Sequence, residues 1–332
     1  MMKRLLSIAL LLCVAPAMFA ATSALTSKGA LYTIDPRPAE NVVSLIRRSA
    51  EVKETIVVPA TQDEGVLDYR AQLEYDRVTD KLYVIWVRKT ERLASVMVSS
   101  LDSEGVWSNP VVLATASPLA VRGDVRTALT RATAGETKAT VIHVASWVRD
   151  GDLLIGEYVL AAFDRNGNFS TSVNDLEAMA NLGIASQEAG DINATAVFPP
   201  LAIAAANDGI DVVFGRERGT TITRMHITPR LEPNARIWKP VGKTGGGVMP
   251  PSKIAANSAN TKPVKAFFSR DRIVLYTDDQ AFRFVIFENG QWSPVRTLTL
   301  DENLTGDALI NELRRVIEEE LPPAEDLSPV TQ

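Results

Sequence analysis

The sequence predicts an all-β protein built from tandem units of similar size. Three observations predict it. A strand-like phrase ending in aromatic-x-Arg recurs along the chain. A second aromatic ladder follows the first at a nearly constant distance. Each unit also holds short runs rich in β-branched and aromatic residues, separated by turn signals.

The first ladder is Trp86–Arg88 in YVIWVR, Trp147–Arg149 in VASWVR, Phe214–Arg216 in DVVFGR and Phe268–Arg270 in KAFFSR. Its aromatics are 61, 67 and 54 residues apart. The second ladder is Trp107, Phe169, Trp238 and Trp292, which lie 21, 22, 24 and 24 residues after their partners. Two ladders in step over four units carry more weight than either alone.

Each unit has the same grammar. The first reads RAQLEYD, KLYVIWVR, LASVMVSSLD and WSNPVVLA, with turns at Thr79-Asp80 and Glu104-Gly105. The second has TKATVIHVASWVR and DLLIGEYVLAAFD with a turn at Asn166-Gly167. The third has PLAIAAANDGIDVVFGR and TITRMHITPR, and the fourth has VKAFFSRDRIVLYTDD and AFRFVIFENG with a turn at Asn289-Gly290. Asn-Gly between strand-like runs marks a hairpin whose two central residues need positive φ. Four-stranded units repeated in tandem are the building blocks of a β-propeller; units this short cannot each bury two sheets as a sandwich. The expectation is a propeller of about four to five blades over residues 25–300, five with one incomplete being favoured, and the strand-like segments 29–34 and 53–59 either begin a fifth blade or complete one.

Two helices are expected beside the repeats. A short N-terminal one over Pro38–Arg48 places Val42, Val43 and Ile46 on one side. An amphipathic C-terminal one over Asp307–Leu321 carries Leu309, Leu313, Val316, Ile317 and Leu321 on one stripe, with Thr305 as cap and Pro322-Pro323 as stop. Both read as covers for a blade edge or closure point.

Residues 1–24 read as a secretory signal peptide: Lys3 and Arg4, an apolar run from Leu5 to Phe19, then small residues. Cleavage is expected after Ala15-Pro16-Ala17 or Thr22-Ser23-Ala24. The run is short for a membrane span of ~20 residues, so a secreted or periplasmic protein without a membrane span is expected. Cys13, the sole cysteine, leaves with the signal, which excludes a disulfide framework and a thiolate metal site. The acidic tail, residues 301–332, holds nine acidic and two basic residues. Of 35 basic and 40 acidic residues in all, removing that tail with Lys3 and Arg4 leaves 31 of each. A neutral body argues against nucleic-acid binding, which needs a basic excess.

Few motifs carry chemistry. GKTGGG, residues 242–247, lacks the leading glycine of a phosphate loop, because Ile237 stands there; it reads as a mobile connector between the third and fourth units. His143 and His226, the only histidines, read as ordinary sheet residues rather than metal ligands. No cofactor motif is present. The arginine ladder is the one chemical candidate. Residues i and i+2 of a strand share a face, so Arg88, Arg149, Arg216 and Arg270 are expected to ring one end of the propeller, where they could hold a carboxylate, sulfate or phosphate. The competing reading is that each stacks on an aromatic or pairs with a nearby acid.

The stretch YDRVTDKLYVIWVRK…VMVSSLDSEGVWSNPVVL resembles a blade of the sialidase-like, BNR or Asp-box propellers, whose box reads Ser-x-Asp-x-Gly-x-Thr-Trp. Ser100, Asp102 and Trp107 match in position; Glu104 stands where the glycine belongs, Gly105 is one place late, and Val106 replaces the threonine. The resemblance covers residues 60–300 and implies the propeller fold. It also implies that an active member would use an arginine triad, a Tyr–Glu nucleophile pair and an Asp acid/base. The nearest phrase to the usual Arg-Ile-Pro is Asp35-Pro36-Arg37-Pro38, and Tyr69, Tyr158 and Tyr276 lack a nucleophile setting, so no catalytic residue transfers. The expectation is an exported, non-catalytic propeller that binds a ligand, an anionic glycan among the candidates, or a partner protein. The alternatives are a divergent sialidase-type glycoside hydrolase and an envelope-assembly subunit docked through its C-terminal helix.

Overall fold

The computed structural model describes residues 22–35, 41–50, 52–61, 65–150, 153–164, 169–181, 201–216, 221–232, 234–248, 265–269, 272–277, 282–299 and 306–320. They form an all-β body of five antiparallel sheets in chain order, each a meander of neighbouring strands. Sheet 1 holds β1 (Ser23–Leu25), β2 (Leu31–Ile34), β3 (Ser44–Arg48) and β4 (Lys53–Val57). Sheet 2 holds β5 (Leu67–Asp76), β6 (Lys81–Lys89), β7 (Ala94–Leu101) and β8 (Val111–Ala116). Sheet 3 holds β9 (Val121–Ala134), β10 (Thr137–Asp150), β11 (Leu153–Asp164) and β12 (Phe169–Asp175), followed by the short helix α1 (Leu176–Asn181). Sheet 4 holds β13 (Leu201–Ala205), β14 (Ile210–Arg216), β15 (Thr221–Glu232) and β16 (Ile237–Val248). Sheet 5 holds β17 (Lys265–Ser269), β18 (Arg272–Thr277), β19 (Phe282–Glu288), β20 (Gln291–Trp292) and β21 (Arg296–Leu298), the last two both pairing with β19. Helix α2 (Gly306–Glu320) follows.

The strand-rich grammar is physical. Runs such as Leu82–Val87 are buried at every position, which requires cover on both faces of the sheet. The Asn289-Gly290 turn has φ of 51° and 79°, the positive pair that a two-residue hairpin demands and that glycine adopts without strain.

Consecutive sheets pack face to face. Tyr32, Leu45, Leu73, Val84 and Trp86 fill the space between sheets 1 and 2. Ile85, Val96, Ile142 and Val159 fill that between sheets 2 and 3. Trp147, Tyr158, Leu160, Val212, Phe214 and Trp238 join sheets 3 and 4, and Val213, Phe268, Leu275 and Val285 join sheets 4 and 5. The first strands of successive sheets lie against one another, β1 on β5, β5 on β9, β9 on β13 and β13 on β17. The far face of sheet 5, with Phe267, Val274 and Tyr276, is covered by Leu309, Leu313 and Ile317 of α2. The C-terminal helix is therefore where the sequence places it, and its apolar stripe is spent on sheet 5. Among the described residues no strand pairing links sheet 5 to sheet 1.

Several expectations need correction. The stretch read as the N-terminal helix contains β3: Ser44–Arg48 pairs with β2 on one side and β4 on the other, and residues 36–40 lie outside the described ones. Alternation wins there, since Val43 and Leu45 are buried toward sheet 2 while Ile46 lies on the other face. Sheet 1 is consequently complete rather than a fragment. GKTGGG is not a connector but part of β16, paired with β15. Gly242 is needed for packing, because a Cβ there would stand 2.5 Å from the Met225 sulfur.

The first aromatic ladder is core but not rotationally equivalent. Trp86 faces sheet 1, Trp147 faces sheet 4 and Phe214 faces sheet 3. A one-residue offset in a strand reverses the face, and Trp147 has the opposite phase. Phe268 lies in the first strand of its sheet, not the second, and the short 54-residue step marks the change. In the second ladder Trp238 is buried, whereas Trp107, Phe169 and Trp292 are half-buried.

Trp86 is fully buried, so Trp86→Ala is expected to lower unfolding free energy by about 3–5 kcal/mol. Trp107→Ala, at the rim of the same cluster, is expected to cost roughly 1–2 kcal/mol. Urea unfolding of both variants checks this; equal losses would contradict the assignment of core and rim.

Candidate functional site

Arg88, Arg149 and Arg216 all close, or nearly close, the second strand of their sheet. They share one strand end. Arg270 lies outside the described residues, after β17, the first strand of sheet 5.

Arg88 is engaged internally. Its Nε and Nη2 donate to the two carboxylate oxygens of Asp68 at 2.9 and 2.8 Å. Its Nη2 also donates to the carbonyl of Ala60, in the 3-10 turn Pro59–Thr61. The Trp86 indole donates to Asp68 as well, at 2.8 Å. Asp68, on β5 and fully buried in its side chain, thus holds Arg88, which ties β6 to the connection from sheet 1. This is the acid-pairing alternative, met by a residue of the adjacent strand. Arg149 is exposed.

Three further arginines approach the same end from the first strands. Arg122 on β9 is 0% exposed. It forms an ion pair with Glu157 of β11 and reaches the Ala94 carbonyl of β7 at 3.4 Å, so it ties sheet 3 to sheet 2. Arg70 on β5 is exposed, in a left-handed conformation with φ of 54°, where β5 bulges against β6 between Tyr69 and Gln72. Its guanidinium lies 5.9 Å from the Tyr69 ring centroid and its Nη1 sits beside Gly123 of β9. Arg126 is half-buried, and its Nε has no hydrogen-bond partner among the described residues. The ladder of aromatic-x-Arg phrases does not reveal these residues. The signal was present in VRGDVRTALTR, where basic residues punctuate a strand that the aromatic phrases leave unmarked.

Polar groups also sit between the sheets. Asp76, at the opposite end of β5, accepts from Arg131 and Thr140 of sheet 3 at 2.7 and 2.6 Å and from Thr79 at 2.7 Å. Burial pushes its pKa up, but these hydrogen bonds outweigh burial and hold it below the usual carboxylate value. Glu74, two residues earlier on the same face, has among the described residues only Thr127 of β9 as a hydrogen-bonding side chain, at 2.7 Å. Burial pushes its carboxyl up to about 8. His143 is sealed between sheets 3 and 4, with Nε2 2.6 Å from the Thr130 hydroxyl and Nδ1 2.7 Å from the Tyr158 hydroxyl. Burial brings its pKa down to about 3, so the ring is neutral, with one nitrogen donating and the other accepting. His143 is the sheet residue that the sequence predicts.

His226 has more company than expected. Its ring nitrogens lie 2.9 Å from Asp208 and 3.1 Å from Asp211, because the β14–β15 register sets Asp211 directly opposite His226. Among the described residues no group of three or more side chains could hold a metal ion. The tyrosines offered by the family resemblance do not converge. Tyr69 packs between sheets 2 and 3, Tyr158 between sheets 3 and 4, and Tyr276 under α2. The matched Asp102 shapes the β7–β8 turn: its Oδ1 accepts the backbone N–H groups of Glu104 and Val106 at 2.9 and 2.8 Å.

Glu74 and His143 set opposite limits on stability. Between pH 6.5 and 3 the unfolded chain protonates its histidine while folded His143 stays neutral, so stability falls as pH drops. Between pH 4.5 and 8 the unfolded chain ionises its glutamate while folded Glu74 stays protonated, so stability falls as pH rises. Where the windows overlap, from 4.5 to 6.5, the two slopes cancel. Glu74→Gln is expected to raise the urea midpoint at pH 8 and leave it nearly unchanged at pH 4.5. An unaltered alkaline limb in the variant would contradict the assignment.

No protein-family model matches this chain, and no curated protein sequence matches it.

Proposed function

We propose that this is an exported, non-catalytic binding protein, a propeller-like array of five blades that takes an anionic ligand at the end marked by Arg88. The observation that carries this reading is the pairing state of the arginines there. Asp68 neutralises Arg88 and Glu157 neutralises Arg122. Arg70 has the Tyr69 ring as its contact, and Arg126 keeps a buried Nε without an acceptor among the described residues. Both stand on adjacent first strands, which in a blade array surround the axis. Guanidinium groups held this way bind carboxylate or sulfate through paired N–H donors, and an exported protein meets both groups on glycans. The ring inferred from Arg88, Arg149, Arg216 and Arg270 thereby shifts inward: Arg88 becomes a support, and Arg70 and Arg126 become the recognition pair.

Export fits the fold if the signal is cleaved after Ala17. That cut leaves β1 whole, whereas cleavage after Ala24 removes two of its three residues. Docking through the C-terminal helix is not favoured, since Leu309, Leu313 and Ile317 are already packed on sheet 5.

Calorimetry with a sulfated glycan (heparin) and a carboxylated one (polygalacturonate) tests the proposal. Arg70→Ala and Arg126→Ala are each expected to weaken binding by about tenfold or more, the scale of one charge-assisted hydrogen bond. Arg88→Ala is expected to lower the melting temperature, because it strips a buried carboxylate of its partner. Tight binding of either glycan that neither Arg70→Ala nor Arg126→Ala weakens would make this end purely structural.

A further inference from the structure

A cleft of about 180 Å³ opens between sheets 1 and 2, at the end of the sheets opposite Arg88. Its charges divide by sheet of origin, with Lys28 reaching over to the Asp80 side. Both cations, Lys28 and Arg47, belong to sheet 1, and all three anions, Asp80, Asp102 and Glu104, belong to turns of sheet 2. Tyr32, Tyr75, Thr26 and Ser103 with Ala30, Leu82 and Leu101 make up most of the remaining wall.

The cleft is a built feature. The β1–β2 turn is latched onto sheet 2 across its mouth. The Ser27 backbone N–H donates to the Tyr75 hydroxyl at 2.8 Å, and the Ser27 hydroxyl donates to Asp80 at 2.9 Å. The Tyr75 hydroxyl donates to the same Asp80 oxygen, and Lys28 donates to the Ser103 carbonyl at 3.0 Å. Asp80 and Asp102 are thereby fixed in place through Oδ1 alone, which leaves Oδ2 of each outside these bonds. On the other wall, Arg47 is oriented by Glu54 at 2.8 Å through Nη1. Its Nε is buried with no acceptor among the described residues. One wall therefore presents the Arg47 guanidinium against the Tyr32 hydroxyl, and the other presents carboxylate oxygens.

A simple anion would face three carboxylates there, and a simple cation would face Arg47 and Lys28. The geometry points to a small zwitterion: we infer that this cleft binds a free amino acid, its carboxylate on the Arg47 side and its ammonium on the Asp102–Glu104 side. The volume equals about six water molecules' share of liquid, which suits a small or medium side chain. This site is separate from the arginine-rich end, so Arg70→Ala and Arg126→Ala are expected to leave it unaffected.

The test is calorimetry on the full mature chain with L-alanine, L-glutamine and L-leucine, each beside its N-acetyl derivative, which lacks the ammonium, and its amide, which lacks the carboxylate. Binding of at least one free amino acid is expected, weakened by about tenfold or more in both blocked forms, as the loss of one charge-assisted contact requires. Arg47→Gln and Glu104→Gln are expected to weaken it to a similar degree. Glu104 is exposed, so its variant reports on binding without risk to the fold, and an unchanged melting temperature verifies this. Absence of binding by all three free amino acids, or blocked forms that bind equally well, would overturn the inference; binding of the amides alone would assign the cleft to amines instead.

Discussion

The structure depends on one constraint: its central sheets are apolar on both faces. In sheet 2 alone, Trp86 points to sheet 1 while Ile85 and Val87 point to sheet 3. Burying one face leaves the other against water, at about 25 cal/mol for each Å² of apolar surface. A sheet of this kind gains its stability only between two neighbours, which is why the chain repeats the unit instead of enlarging it. The two ends of the series are handled differently. Sheet 5 is finished by α2, whose Leu309, Leu313 and Ile317 replace a following sheet. Sheet 1 turns outward a more polar face, with Arg48, Lys53 and Thr55 exposed and Leu31, Thr33 and Ile46 half-buried.

Apolar packing is non-directional and does not fix how one sheet slides over the next. The buried polar contacts supply that. Arg122 reaches Ala94, Arg131 and Thr140 reach Asp76, and Thr127 reaches Glu74, all across the same interface. A buried ion pair adds little net stability, but breaking one costs a good deal, so these contacts penalise wrong registers more than they reward the right one. They also hold the strand ends rigid. That rigidity is what permits Arg70 and Arg126 at one end, and Arg47 and the Asp102 turn at the other, to keep their positions without a ligand to organise them.

Much of this was legible in the sequence for identifiable reasons. Asn289-Gly290 announces its hairpin because few residues tolerate positive φ. The α2 stripe announces itself because its leucines recur at helical spacing. The second aromatic ladder marks the fourth strand in sheets 3 to 5, whereas in sheet 2 Trp107 forms an isolated bridge with Leu101 ahead of β8. Other features depend on partners distant in sequence. Ser44–Arg48 has no local signal that separates a short strand from a helix, and only pairing with β2 and β4 decides it. The reversed face of Trp147 follows from strand phase, which the aromatic-x-Arg phrase does not encode. The Asp211–His226 contact is set by hairpin register, and Arg122 finds Glu157 across 35 residues. The candidate cleft was hidden for the same reason, since its two walls come from different sheets.

If each sheet is stable only between neighbours, removing the last cover should loosen the structure from that end inward. Hydrogen exchange on a Leu313→Asp variant measures this directly, because Leu313 is fully buried against sheet 5. The expected result is a large loss of protection in β17, β18 and β19, a smaller loss in sheet 4, and near-native protection in β6 and β10. Unchanged protection in sheet 5, or a uniform loss across all five sheets, would contradict mutual burial as the source of stability.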